Sequence, residues 1–197
     1  LPTTARRQRQ MCIRDSAKKL CSLKRLNNDY SYKREYDRTI LTSSLRTRHT
    51  QKSIARFDAT APGKTEPVSH FHRLNPYGIS NTLRAGTPSS RGAYTSPRPI
   101  HPFTPRCITV REAARLHSYP DWFRFHMTKW HGFRQVGNSV PPLLAKAVAQ
   151  EIIHALNIQP FKPRRKKYKL EKLENLELKM SIACLLYTSD AADELLC

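Results

Sequence analysis

Two stretches of this 197-residue chain alternate apolar and polar positions at a helical period. In SVPPLLAKAVAQEIIHALN, Leu144, Val148 and Ile152 recur every fourth residue, and Leu143, Ala147 and Leu156 widen them into one apolar stripe. Pro142 suits the first turn of that helix, where its missing N–H is not needed. In ITVREAARLHSYP, Thr109 stands three residues ahead of Glu112, the spacing at which the two side chains cap each other's backbone amides. Val110, Ala113, Ala114, Leu116 and His117 follow, and Pro120 comes just after the end the pattern implies. Both segments are predicted helices. Between them DWFRFHMTKWHGFRQVGN is aromatic and basic, and no helix is predicted there.

The remainder is less periodic. Residues 54–105 are rich in Pro, Gly, Ser and Thr, with short β-prone pieces, and predict loops and short strands without a helix. Residues 17–53 are basic and polar with apolar positions at neither period. A basic arm, a weakly periodic part of a domain and out-of-frame sequence all fit them. After residues 106–157, which hold both predicted helices, residues 158–183 run from a basic cluster into a charged piece compatible with helix. They read as a solvated tail with some phosphate affinity.

The two ends differ in texture from everything between them. Arg6 to Asp15 can be written CGT-CGG-CAG-CGT-CAG-ATG-TGT-ATA-AGA-GAC, and the opposite strand of that DNA with the first base of the Ser16 codon, in a shifted frame, encodes CLLYTSDAAD, which is Cys184 to Asp193. The DNA resembles the adapter of transposase-based sequencing libraries. Residues 1–16 and 184–197 are therefore read as translated adapter and set aside from the fold. The formal charge of +20 survives this, because four Arg and one Asp at one end balance three acids at the other. Such an excess points to a polyanion, most economically nucleic acid, with a ribosomal or membrane-surface protein as the competing class. Only Cys21 and Cys107 remain, too few for a disulfide framework and not spaced for zinc. No apolar run reaches membrane-spanning length, and a cytoplasmic setting is expected.

TVREAARL also looks like the first helix of an excisionase-type DNA-binding module, but Tyr119-Pro120-Asp121-Trp122-Phe123 follows where a recognition helix is needed. A stronger likeness covers roughly residues 54–156. The ordered pair TVREAARLHSYPDWFRF and RQVGNSVPPLLAKAVAQEI resembles the last two motifs of DNA (cytosine-5)-methyltransferases, with His117 in place of the usual Gln and Tyr119 in place of Phe. This resemblance implies an α/β fold: the carboxy-terminal part of a Rossmann-like S-adenosylmethionine-dependent methyltransferase, plus part of a mostly β target-recognition domain at residues 54–105. It implies that Gln135 to Val140 form a turn into a helix whose start offers free N–H groups. Asn138 and Ser139 would contact S-adenosylmethionine and Val140 would line its pocket. The alternative is a tight turn at Gly137-Asn138 with Ser139 as a helix cap.

By the same resemblance Arg111 and Arg115 hold the recognition domain against the larger lobe, although a surface pair of arginines is also compatible with their spacing. Thr82, in a Thr-Leu pair typical of the recognition domain, is a candidate phosphate contact. Arg84, Arg91 and Arg98 are candidates for phosphates or guanine edges, against a solvated basic loop. Trp122, Phe123 and Phe125 read as core, while Trp130 and His131, flanked by Lys129 and Arg134, keep a DNA-facing reading open. His70, His72 and His101 lack the accompanying ligands of a metal site, and no metal is expected.

The family's reaction uses a cysteine thiolate in a Pro-Cys pair to attack C6 of a flipped cytosine, and a Glu-Asn-Val acid assists at N3. Neither motif occurs in the chain, and Cys107 follows Arg106 at the wrong place in the order. No catalytic residue is assigned. The expected identity is a carboxy-terminal part of such an enzyme, inactive alone, whose complete form methylates cytosine in duplex DNA with S-adenosylmethionine, with a cognate restriction endonuclease as a prospective partner. A non-catalytic basic DNA-binding module, or one subunit of a split methyltransferase, is the alternative.

Overall fold

The computed structural model describes residues 33–35, 40–83, 98–126, 128–161 and 167–169. The adapter-like ends, Arg84, Arg91, and most of residues 17–39 and 162–183 lie outside them. The described part is built on four helices. The first, α1, spans Gln51–Ala59; Thr50 caps it by accepting the Ser53 N–H at 3.3 Å. No helix was expected from Ile54 onward. Only Phe57 of α1 is buried, so the apolar period is too thin to see. The helix is held instead from a distance. Arg73, buried, donates from Nη1 to the carbonyls of Phe57, Asp58 and Thr60 at 2.9, 3.0 and 2.8 Å, satisfying the open end of the helix.

The second helix, α2, spans Val110–Leu116 and forms as its pattern predicts. Thr109 Oγ1 accepts the Glu112 N–H at 3.2 Å, and Glu112 Oε2 accepts the Thr109 N–H at 2.7 Å. Arg106 grips the same carboxylate through two bonds of 2.9 and 2.8 Å. Val110, Ala113, Ala114 and Leu116 face the main core with Leu74, Leu83, Ile108, Phe125, Phe133 and Val136. Phe57, Ile100 and Cys107 form a smaller cluster, with Phe71 against it.

A third helix, α3, spans Lys129–Asn138, where none was expected. It packs on α2 through Gly132, where a Cβ would sit 2.8 Å from Val110 Cγ1. The close approach requires glycine there, a residue that weakens the helical signal. The fourth helix, α4, spans Pro142–Ala155, with Pro142 in its first turn as predicted.

Strand content among the described residues is small. β1, Lys33–Glu35, and β2, Lys167–Lys169, pair in parallel with Arg34 opposite Tyr168. The second of these stands in the segment read as a solvated tail. The short strands expected in residues 54–105 reduce, among the described residues, to isolated bridges: Thr65 with His72, Arg73 with Ile100, and Ile100 with Cys107.

Candidate functional site

The two motif segments meet where the end of α2, the end of α3 and the start of α4 converge. Gln135 to Asn138 do not form the turn expected of them; they are the last turn of α3. Ser139 closes that helix, its hydroxyl donating to the Val136 carbonyl at 2.7 Å and its N–H to the same oxygen at 3.2 Å. Ser139 is thus a cap, but of the preceding helix; Pro141 stands at the N-cap of α4.

The start of α4 also differs from expectation. Pro142 has no N–H, Leu143 donates to Ser118 Oγ at 3.2 Å, and Leu144 and Ala145 donate to the Pro141 carbonyl at 2.9 and 3.0 Å. Its first donors are taken, so any cofactor contact at this motif falls to side chains. Asn138 is exposed, as is Val140, at 60 %. Ser118, which reaches a left-handed conformation with φ of 61° to end α2, is the anchor between the two motifs.

A cavity of about 260 Å³ opens beside this junction, lined by Ser80, Asn81, Thr82, Leu83, Leu116, His117, Gly137, Ser139 and Pro141. It brings together Thr82, chosen for phosphate, and Ser139, chosen for cofactor. Asn138 and Val140 do not line it. A pocket that encloses a drug-sized ligand holds roughly 300–1,000 Å³. The cavity is thus smaller than that range, and of the three residues expected at the cofactor only Ser139 lines it, with Asn138 and Val140 exposed beside it.

Arg111 is the most constrained of the selected residues, 1 % exposed. Its Nη2 donates to the Phe123 carbonyl at 2.7 Å and to Thr42 Oγ1 at 3.0 Å, while Nε donates to the Thr42 carbonyl at 3.0 Å. The adjacent Ser43 carbonyl accepts the Arg111 N–H at 2.9 Å, and Ser43 Oγ donates to the Phe125 carbonyl at 3.1 Å. Residues 42–43, from the aperiodic segment, are thereby part of the packed unit. Arg115 is no surface arginine either: it forms a two-point ion pair with Asp121 at 2.8 and 2.7 Å. Sequence reasoning gave no role to Thr42, Ser43, Ser118 or Asp121. Of these only Asp121, six residues beyond Arg115, left a signal in charge pairing.

Phe125 is buried, Trp122 half-buried and Phe123 exposed at 37 %, so the core reading holds fully only for Phe125. The Arg134 guanidinium lies over the Trp130 ring at 5.2 Å, and His131 packs edge-on against Trp130. His101 Nδ1 accepts the amides of Phe103 and Thr104, and His72 Nδ1 faces Thr65 Oγ1. Burial pushes the Cys107 thiol up to about 12, which keeps it protonated at neutral pH and unsuited to nucleophilic attack. Thr82 is exposed and Arg98 half-buried.

A helix-borne arginine hub, a capping-box helix and a Gly-Asn-Ser-Val-Pro-Pro junction beside a cleft describe a DNA methyltransferase, and a solved structure agrees. That structure, described as a prophage-encoded DNA modification methyltransferase from E. coli, matches with a TM-score of 0.51 at 42 % identity, over 60 % of this chain and 30 % of that one. The family description "C-5 cytosine-specific DNA methylase" matches residues 3–154, and the chain belongs to that family. The matched span takes in residues 3–16, one of the two mirrored ends.

Among relatives, Type II methyltransferase M.XorII of Xanthomonas oryzae pv. oryzae is 67 % identical over 135 residues, 68 % of this chain and 32 % of that protein. DNA (cytosine-5)-methyltransferase 2 of Arabidopsis thaliana is 42 % identical over 72 residues, 33 % of this chain and 5 % of that one. The chain spans about a third or less of the curated relatives it matches. No helix among the described residues is long and apolar enough to cross a membrane.

Proposed function

We propose that the chain is a carboxy-terminal part of a cytoplasmic enzyme that transfers a methyl group from S-adenosylmethionine to C5 of cytosine in duplex DNA. A cognate endonuclease belongs to the same proposal, since relatives carry type II methyltransferase names. The observation that carries the reading is the junction at which Ser118 ties the first motif helix to the second, beside a cleft shared by Thr82 and Ser139. Asn138, Ser139 and Val140 would hold S-adenosylmethionine, which supplies the methyl group when bound. Thr82 and the arginines at positions 84, 91 and 98 would meet DNA as part of a recognition domain. Arg111 and Arg115 would hold the recognition domain against the larger lobe, a positioning role; here they tie the first motif helix to Thr42, Asp121 and Phe123.

The test is a chimera in which this chain replaces the matching third of the Xanthomonas relative. With labelled S-adenosylmethionine it should methylate duplex DNA, while the chain alone should neither methylate nor bind the cofactor at micromolar concentration. A soluble, folded chimera without activity would refute the assignment, and micromolar cofactor binding by the chain alone would refute the divided site.

A further inference from the structure

On the cofactor reading proposed for Ser139, we infer that the cleft receives the α-ammonium of S-adenosylmethionine, with the Ser139 oxygen accepting one of its N–H bonds. A serine hydroxyl has one proton to give and two lone pairs. Ser139 gives its proton to the Val136 carbonyl at 2.7 Å, inside the cap that ends α3. Ser80, also in the cleft wall, gives its own to the Asn81 carbonyl at 2.9 Å. Both hydroxyls therefore meet a ligand as acceptors, which suits an N–H group and disfavours a carboxylate.

The backbone around them has the same polarity. Two helices end at the cleft: Leu116 and His117 close α2, and Gly137 and Ser139 close α3. A helix carries its partial negative charge at its carboxy-terminal end, where a cation is favoured. The amino-terminal end of α4, which would favour an anion, is muted. Pro142 has no N–H, and those of Leu143 and Leu144 go to Ser118 Oγ and the Pro141 carbonyl. Among the described residues no Lys, Arg, Asp or Glu lines the cleft. Asn81, Thr82 and a neutral His117 can each donate or accept, so they leave the bias as it stands. The sulfonium of the same cofactor is a cation without an N–H, so the ammonium is the group that answers both features. At about 260 Å³ the cleft suits one end of the molecule.

The experiment titrates the full chain at constant salt with three probes, read by ligand-observed NMR in the millimolar range. They are S-adenosylhomocysteine, its analogue without the amine, and its analogue without the carboxyl group. The first and third should bind, and the second should bind at least about tenfold more weakly, the loss of one hydrogen bond to a charged group. Ser139→Ala should weaken the first and third towards the second and leave the second unchanged. The formal charge of +20 works the other way: bulk attraction would favour the anionic, amine-free probe, so it does not produce the expected order.

Equal binding of the amine-free and carboxyl-free probes, stronger binding of the amine-free one, or no binding of any probe in that range would overturn the ammonium site. A loss in Ser139→Ala shared equally by all three would mark a structural role and overturn it as well. Should the alanine variant not fold, Ser139→Cys, which keeps the volume and weakens the acceptor, is read in the same way. Methylation by the chimera separates the two levels: an active chimera with any of these adverse results loses the ammonium site alone, and a folded, inactive one loses the methyltransferase reading beneath it.

Discussion

Replacing Arg111 by Met tests whether the buried arginine is the joint of the motif region. Methionine retains much of the side-chain volume and removes the guanidinium. Three good bonds disappear, to the Phe123 carbonyl, Thr42 Oγ1 and the Thr42 carbonyl, at 2.7, 3.0 and 3.0 Å. The Pro120 carbonyl at 3.4 Å is too distant to add much. Hydrogen bonds to a charged group contribute about 1.5–3 kcal/mol each, which puts the gross loss from these three at roughly 4–9 kcal/mol. The three share one side chain and are not additive, and removing a buried charge recovers part of its desolvation cost. The expected net loss is about 3–5 kcal/mol, the range for breaking a buried charged network. With a urea dependence of about 1–1.5 kcal/mol per molar, the unfolding midpoint should fall by at least about 2 M, or the variant should be unfolded without denaturant. Far-ultraviolet circular dichroism during urea titration reads this. Arg111→Lys should recover less than half, since one ammonium cannot reach all three acceptors. Exposed Arg134→Met, which loses only the contact with the Trp130 ring, should shift stability by no more than about 1 kcal/mol. A loss below about 1 kcal/mol for Arg111→Met would show that the joint lies elsewhere.

Gly132→Ala should destabilise the fold by about 1–3 kcal/mol in the same titration, because its Cβ would meet both Val110 methyls at 2.8 and 2.9 Å; Gly132→Ala with Val110→Ala should recover much of the loss. Thermal midpoints should fall with acid in two stages. Burial first, with nearby cations, lowers the pKa of His49, His101 and His131, and burial alone lowers that of His72, so their contribution is complete above the unfolded value of 6.5 and is lost as pH falls through the folded values. For Glu112, burial opposes ionisation but is outweighed by the Arg106 hydrogen bonds, the Thr109 N–H and nearby charge. That contribution is therefore present above the unfolded value of 4.5 and lost as pH falls through the lower folded one. A midpoint flat from pH 8 to pH 3 would contradict both stages. Val148→Lys with Ile152→Lys should make the isolated chain more soluble with unchanged helicity, yet abolish methylation by the chimera; equal activity there would show that the α4 face needs no cover.

What could be read from the sequence follows from where each interaction lies along the chain. The α2 cap was legible because its partners, Thr109 and Glu112, are three residues apart and chemically distinctive. The apolar stripe of α4 was legible because the period is unbroken. α1 was not, since much of its support comes from Arg73, fourteen residues beyond its end, and Phe57 is its one buried side chain. α3 was masked by Gly132, whose small size serves a neighbour and not its own helix. The Gly-Asn-Ser-Val segment was expected as a turn and is not one, because a Gly-Asn pair reads as a turn by propensity whereas packing of Phe133 and Val136 carries the helix through to Asn138. The contribution of Thr42 and Ser43 had no local signal at all: it consists of two backbone carbonyls and two hydroxyls meeting residues 68 or more positions away.

The exposure of α4 connects these threads. None of its residues is buried, although Leu144, Val148, Ile152 and Leu156 form a continuous apolar face, each about half exposed. A monomeric protein rarely leaves such a face to water. Its first turn is held by Ser118 on Leu143 and by the Pro141 carbonyl, the contacts that join the two motif segments. Asn138 and Val140 stand exposed beside that fixed end. Any surface that covers the α4 face therefore arrives next to Asn138 and Val140, so under the proposed function burial of the helix and completion of the cofactor site would be one event. An exposed apolar face, an ordered junction and a cleft beside it thus belong to one corner of the described structure.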